Sequence, residues 1–301
     1  MYCGIPYMGS KRKLAPELID FMIRENPNAK YFYDLFGGGG AMSFQTLNHP
    51  QIERVFYNEL NTGVVELLQD VLKNGVTSKY YEFVNRETFV KNKNKNSWFG
   101  GMCKTVYSFG NNQKEYIYGK KIEKHKELCH NVIVKKCEKS LLKINETLEI
   151  NFSIDIPNTL FFMPETINQR RLRFYESIKG RFGAEHLERL QHLEHLAHLE
   201  KLKHLKYLEK LKISNLSYEK VNIKTPVSET IVYLDPPYSK KRKYQNDINH
   251  DDLYNYIKKS KYKIYLSSYE SELKCVFKKK HRCTLSATSN NEVTEKLFVN
   301  T

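Results

Sequence analysis

Apolar residues recur at helical spacing from Leu14 to Ile23 and predict an amphipathic helix. The run Tyr31-Phe32-Tyr33-Asp34-Leu35-Phe36 predicts a buried strand, ended by Gly37-Gly38-Gly39-Gly40. A helix is expected over Ala41 to Leu47, a strand over Arg54 to Tyr57, and a long amphipathic helix over roughly Thr62 to Lys73. This β-α-β-α order is that of a sheet with helices on both faces. From about residue 78 to 185 the rhythm is lost, and the chain is polar, aromatic and rich in Lys and Asn, as expected of an inserted module. The rhythm returns with a strand at Thr230 to Leu234, a helix near Asp251 to Lys259 and a strand at Tyr262 to Leu266. The last strands are expected near Arg282 to Leu285 and Glu295 to Val299.

Leu occupies every third position from 187 to 211, with charged residues, His and Gln in most gaps. The composition is helical, but the period does not match an α-helix. At about 100° per residue each Leu falls about 60° behind the last, so the stripe winds around the axis. A strand would alternate the leucines between faces. A 3₁₀ helix places every Leu in one column, and the period favours that geometry, although such helices rarely exceed a few residues. His192, His195, His198 and His204 share the period, which tandem duplication of a short unit explains without a metal. The expected organisation is a cofactor-binding part over 1–77, an insert over 78–185, the leucine repeat over 186–212 and a second core part over 213–301.

The 301 residues, 40% of them hydrophobic, suffice for one sizeable core with a small insertion. Lys and Arg total 49 against 34 Asp and Glu, a formal charge of +15 that points to a polyanionic partner. The surplus is clustered in Lys91 to Lys95, Lys240 to Lys243 and Lys278 to Arg282, with Trp98, Phe99, Tyr107, Phe109, Tyr238 and Tyr244 nearby. Positive charge follows a phosphate backbone and rings stack on bases. Six cysteines lie scattered with no CxxC pair, against a zinc site, an iron–sulfur cluster or a disulfide framework. With neither a signal-like apolar run nor a membrane-length one, the chain is expected to be soluble and cytoplasmic.

Asp235-Pro236-Pro237-Tyr238 directly follows the apolar strand. The prolines fix the backbone and remove two donors, so the Pro236 carbonyl has a defined direction. That carbonyl and the Asp235 carboxylate form a pair of acceptors that can bind both hydrogens of an exocyclic amine and stabilise positive charge on its nitrogen. Tyr238 offers a ring for a base to stack on. The glycines after Asp34 allow close backbone approach to a ligand, and a phosphate loop is excluded because Gly-Ala-Met stands where Gly-Lys-Ser/Thr is needed. Asn58-Glu59 ends the next strand; a Glu there can accept ribose hydroxyls or simply be solvated. Lys11, in Pro6-Tyr7-Met8-Gly9-Ser10-Lys11, could pair with a ligand carboxylate or be surface charge.

In this order the four motifs resemble the Dam-like, alpha-class, phage-type adenine-specific DNA methyltransferases, over roughly residues 5–75 and 212–300. The resemblance implies an α/β, Rossmann-like methyltransferase core, S-adenosylmethionine as methyl donor, and a target-recognition domain in the insert. It implies that Tyr7 and Lys11 contact the methionine part of the cofactor, and that Asp34, Phe36, Gly37, Gly38 and Gly39 wrap it. Glu59 would hold the ribose, and Ser214 to Leu216, including Asn215, would line the adenine. The last strand through Asn300 also resembles the family's. Four consecutive glycines and the leucine repeat depart from the best-known members.

For the expected duplex DNA partner, the best contact candidates are Lys104, Tyr107, Asn111, Asn112, Gln113 and Lys114, with Arg170, Arg171 and Arg173 as a second basic cluster and Lys241 and Arg242 beside Tyr238. No metal and no membrane partner are expected. Rival readings are methylation of cytosine, RNA adenine or a protein glutamine, and a DNA-binding protein that keeps the scaffold without catalysis. The intact Asp235 motif argues against the last, and glutamine methylation more often goes with Asn at that position.

Overall fold

The computed structural model describes residues 4–148, 166–178, 189–237, 248–282 and 292–300. In chain order the elements are α1 (Ala15–Arg24), β1 (Tyr31–Asp34), α2 (Ala41–Leu47), β2 (Arg54–Asn58), α3 (Thr62–Asn74), α4 (Arg86–Asn92), α5 (Trp98–Val106), α6 (Glu123–Lys135) and α7 (Glu138–Leu148). They continue with α8 (Ile167–Ile178), α9 (Gln191–Glu200), β3 (Leu211–Ser214), β4 (Thr230–Leu234), α10 (His250–Lys259), β5 (Lys263–Ser268), β6 (Lys274–Arg282) and β7 (Glu292–Val299).

The strands form one sheet in the order β3-β2-β1-β4-β5-β7-β6. The first five are parallel, while β7 runs antiparallel to both β5 and β6. Side chains alternate between the two faces, as the period of a strand requires. Phe32, Val55, Tyr57, Ile231 and Tyr233 join the core under α1, α2 and α3. Tyr33, Leu35, Val232 and Leu234 pack with Leu253 and Ile257 of α10 on the other face. Burial on both faces explains why β1 and β4 read as unbroken apolar runs.

The chain winds outward from β1 through β2 to β3, then returns to place β4 on the other side of β1. Such a reversal opens a crevice beyond the carboxyl ends of the strands. Asp34 closes β1, Asn58 closes β2, and Asp235 follows β4, so all three motifs meet at that end.

The described residues of the polar segment from residue 78 onward are largely helical, and α5 lies directly against α3. A Cβ on Gly101 would fall 1.9 Å from the Gly63 carbonyl oxygen, so the helices touch backbone to backbone. Met102, Val106 and Tyr107 share one hydrophobic cluster with the sheet and with Leu193 and Leu196.

The leucine repeat corrects the 3₁₀ expectation over its first half: Gln191–Glu200 is an α-helix, and only Lys201–His204 and Leu208–Lys210 are 3₁₀ turns. The winding stripe is accommodated because α9 packs against both α5 and α8. Leu190, Leu193, Leu196, Leu199 and Leu202 are all buried, as are His192 and His195. β6 reaches the first residue of the strand expected near Arg282 to Leu285, whose remaining residues 283–285 lie outside the described residues; the Lys-rich sequence of β6 suits an edge that, among the described residues, pairs with β7.

Candidate active site

A cavity of about 320 Å³ opens at the switch point of the sheet. Tyr7, Lys11, Asp34, Phe36, Gly37, Gly38 and Gly39 border it from one side. Glu59, Leu216, Asp235, Pro236 and Pro237 complete much of the remainder. Twelve residues assigned to cofactor or catalysis thus share one space, although they come from five separate stretches of sequence.

The glycine loop is shaped by its neighbours. The Tyr57 ring lies where a Cβ on Gly37 would stand, at 2.2 Å, and its hydroxyl donates to the Gly38 carbonyl at 2.8 Å. Gly38 has φ +49°, which favours glycine. The Gly38 N–H donates to Glu59 Oε2 at 2.8 Å, and the Asn61 N–H donates to Oε1 at 2.8 Å. Glu59 therefore ties the glycine loop to the end of β2 as well as facing the cavity. Burial raises its pKa, and the two backbone donors work against that rise.

Asp34 is 1% exposed. The Ser43 hydroxyl of α2 donates to its Oδ2 at 2.7 Å, while Oδ1 is buried with no hydrogen-bond partner. Burial pushes the carboxyl up to about 7, against the Ser43 hydrogen bond, and the nearby Asp235 charge adds to the rise. A buried acceptor without a donor is costly in isolation and fits a ligand that brings one.

Lys11 borders the cavity and is 6% exposed, so it is not a surface charge. Its ammonium donates to Asp235 Oδ1 at 3.0 Å, with Glu295 Oε1 at 3.6 Å and the Gly9 carbonyl at 3.5 Å. Burial would lower its pKa, but the two carboxylates outweigh that and raise it, so Lys11 stays charged. Among the described lining residues, Lys11 is the only base and Asp34, Glu59, Glu219 and Asp235 are acidic. Such a lining suits a ligand with cationic groups and disfavours a pyrophosphate.

The other assigned residues are placed as follows. Leu216 borders the cavity, but Asn215 does not; its amide donates to the carbonyls of Glu59 and Leu60 at 2.7 and 3.0 Å and so braces the loop. Tyr107 is fully buried and stacked on His192 with centroids 5.0 Å apart, so it presents no surface to DNA. Lys104 is 6% exposed and donates to Asn61 Oδ1 at 3.2 Å. Arg171 pairs with Glu194 at 3.1 Å, and Arg170 is buried with its Nε donating to the Ile133 carbonyl. Asn111 donates to the Thr105 carbonyl at 2.8 Å. Asn112 and Gln113 reach the cavity itself, and the Asn61 amide donates to Gln113 Oε1 at 2.9 Å. Lys114 and Phe109 are exposed. Tyr238, Lys241 and Arg242 lie outside the described residues.

Ser43, Tyr57, Asn61 and Glu295 belong to the site without having been expected. Glu295 alone left a trace in the sequence, as a carboxylate within an otherwise strand-like run. No group of three or more His, Cys, Asp or Glu that could hold a metal occurs among the described residues, and no helix there is long and apolar enough to cross a membrane.

No curated protein matches the chain. Residues 7–301 match the model of the D12 class N6 adenine-specific DNA methyltransferases, a span that takes in the glycine loop, Glu59 and Asp235-Pro236-Pro237-Tyr238, and the chain belongs to that family of enzymes.

Proposed function

We propose that the cavity binds S-adenosylmethionine, the methyl donor that family membership implies, and that Asp235 and Pro236 grip the N6 amine of an adenine flipped out of duplex DNA. One observation carries this reading: the glycine loop, the partnerless Asp34 oxygen and Asp235 border a single cavity with an acidic lining. When bound, the donor supplies an electrophilic methyl group on a sulfonium sulfur, which departs with the bonding pair as a neutral thioether.

The protein's part is to hold and to orient. In this reading Asp34 Oδ1, buried without a donor, accepts from the donor's ammonium, and Glu59, at the cavity, accepts from its ribose. Leu60 and Leu216 border the cavity while 52% and 42% exposed, and so offer apolar surface for an adenine ring. The Asp235 carboxylate and the Pro236 carbonyl accept the two amine hydrogens, which directs the nitrogen lone pair to form the new N–C bond. Asp235 stabilises the positive charge that grows on nitrogen and stands ready for the proton that nitrogen sheds. No strong base is needed before attack, and proximity supplies much of the acceleration. Flipping the adenine costs about a few kcal/mol, offset by contacts to the insert, where Lys114 and Phe109 are exposed beside Asn112 and Gln113 at the cavity.

The test is to read modified adenines in DNA from cells expressing the protein or its Asp235→Ala variant. The wild type leaves N6-methyladenine at a defined sequence. The variant leaves none while binding S-adenosylmethionine within a few-fold of wild type. Full methylation by the variant would refute the assignment.

A further inference from the structure

The pairing of Lys11 with Asp235 raises a problem for the proposed chemistry. An ammonium 3.0 Å from the carboxylate that must stabilise a cationic nitrogen cancels much of that carboxylate's field. The structure holds a second carboxylate on the same ammonium. Glu295 of β7 lies with Oε1 3.6 Å from Lys11 Nζ, and the Ser267 hydroxyl of β5 donates to that same oxygen at 2.7 Å. Glu295 is 3% exposed and Ser267 fully buried, so this is an interior arrangement and not a surface ion pair.

Of Lys11, Asp235 and Glu295, two are acids and one is a base. Without Glu295, Lys11 and Asp235 would form a neutral pair. With it, the ammonium is shared, and the net field at the Asp235 end remains favourable to a nitrogen becoming positive. Ser267 fixes the direction of the Glu295 carboxylate, and the β5–β7 pairing fixes both residues relative to the catalytic strand, since β5 also pairs with β4.

We propose that Glu295 is a positioning residue for methyl transfer, which by sharing the Lys11 ammonium keeps the Asp235 carboxylate effective against the developing charge on the amine. The proposal rests on the reading that Asp235 grips that amine.

The test measures single-turnover methylation of unmethylated plasmid DNA by the full chain, alongside S-adenosylmethionine affinity by calorimetry and the melting temperature. Glu295→Gln keeps the shape and removes the charge. Its single-turnover rate is expected to fall about 10- to 100-fold, with cofactor affinity within two-fold, because only the transition state carries the extra positive charge. Glu295→Asp should recover part of the rate. If Glu295→Gln fails to fold, Ser267→Ala decides instead, with an expected several-fold loss of rate at unchanged cofactor affinity. A Glu295→Gln rate within two-fold of wild type overturns the proposal, as does a rate loss matched by an equal loss of cofactor affinity. Asp235→Ala run in parallel separates the two layers. If it methylates at full rate, the underlying reading fails; if it is inactive and Glu295→Gln is unaffected, only the role of Glu295 fails.

Discussion

The Ser43 hydroxyl holds one oxygen of the Asp34 carboxyl at 2.7 Å and leaves the other buried without a hydrogen-bond partner, at a residue that borders the cavity. Burial places this carboxyl's pKa at about 7, so without ligand it takes up a proton as the pH falls through neutrality. A cationic donor selects the ionised form. Binding of S-adenosylmethionine should therefore weaken as the pH falls below about 7, approaching tenfold per unit, and should release a proton there. Calorimetry at pH 6 and 8, in buffers of different ionisation enthalpy, measures both.

The same group affects stability. Its folded pKa is raised above the unfolded value of 3.8, so its contribution is fully present below that value and is lost as pH rises towards about 7. Asp34→Asn should raise the melting temperature of the ligand-free protein at pH 8 while weakening cofactor binding at least tenfold. A variant that melts lower at pH 8 and binds normally would contradict this account.

A chain of neutral rings runs between the insert and the leucine repeat. The Tyr118 hydroxyl meets His192 Nδ1 at 2.5 Å, His192 Nε2 meets His130 Nδ1 at 2.9 Å, and His130 Nε2 meets the Tyr81 carbonyl at 2.9 Å. Burial lowers His130 and His195 to about 4 and holds His192 well below its ordinary value, with the neighbouring His130 and His195 adding to the effect on His192. These depressed values contribute stability that is present above the ordinary histidine pKa of 6.5 and lost as the pH falls towards 4. Thermal melts should show that loss between pH 6.5 and 4, and His192→Phe should flatten it. Tyr118→Phe leaves a buried imidazole nitrogen without its partner and should cost about 1–3 kcal/mol at pH 7.

Two lysines of the insert, Lys104 and Lys114, should separate in DNA binding. Lys114→Ala, at an exposed position, should weaken binding across sequences and reduce the slope of log K against log salt by about 1. Lys104→Ala should leave that slope unchanged, because its ammonium is buried against Asn61. Fluorescence anisotropy over a salt series reads both.

Gly101→Ala should be among the most disruptive small changes in the chain. Its methyl group would meet the Gly63 carbonyl oxygen at 1.9 Å, a backbone atom that moves only with α3. The expected loss is about 2–3 kcal/mol in denaturant unfolding. Gly119→Ala, with its nearest neighbour at 4.0 Å, serves as the control.

Elements with a strong apolar period were legible in the sequence. The helix over Ala41 to Leu47 and the strand over Thr230 to Leu234 lie where the pattern puts them, because both are buried within the sheet layers. Asp34, Glu59 and Asp235 also share one cavity, because each lies at the end of a strand beside the switch point. What stayed hidden depends on contacts between distant segments. Tyr107 reads as a surface ring among polar residues, yet α9 covers it with His192. Lys11 reads as a free charge because its two carboxylates are more than two hundred positions away. The three-residue leucine period speaks for a single column only if one face is buried, and α9 is packed on more than one side.

The central pair of strands has a kinetic consequence. Tyr31 of β1 pairs with Thr230 of β4, so one edge of β1 must wait for a partner about two hundred residues later in synthesis. Until β4 emerges from the ribosome, an aromatic strand edge is exposed beside a growing, highly basic chain. Folding of this enzyme is thus expected to be slow and chaperone-sensitive, with its longest delay at the seam where its chemistry is to take place.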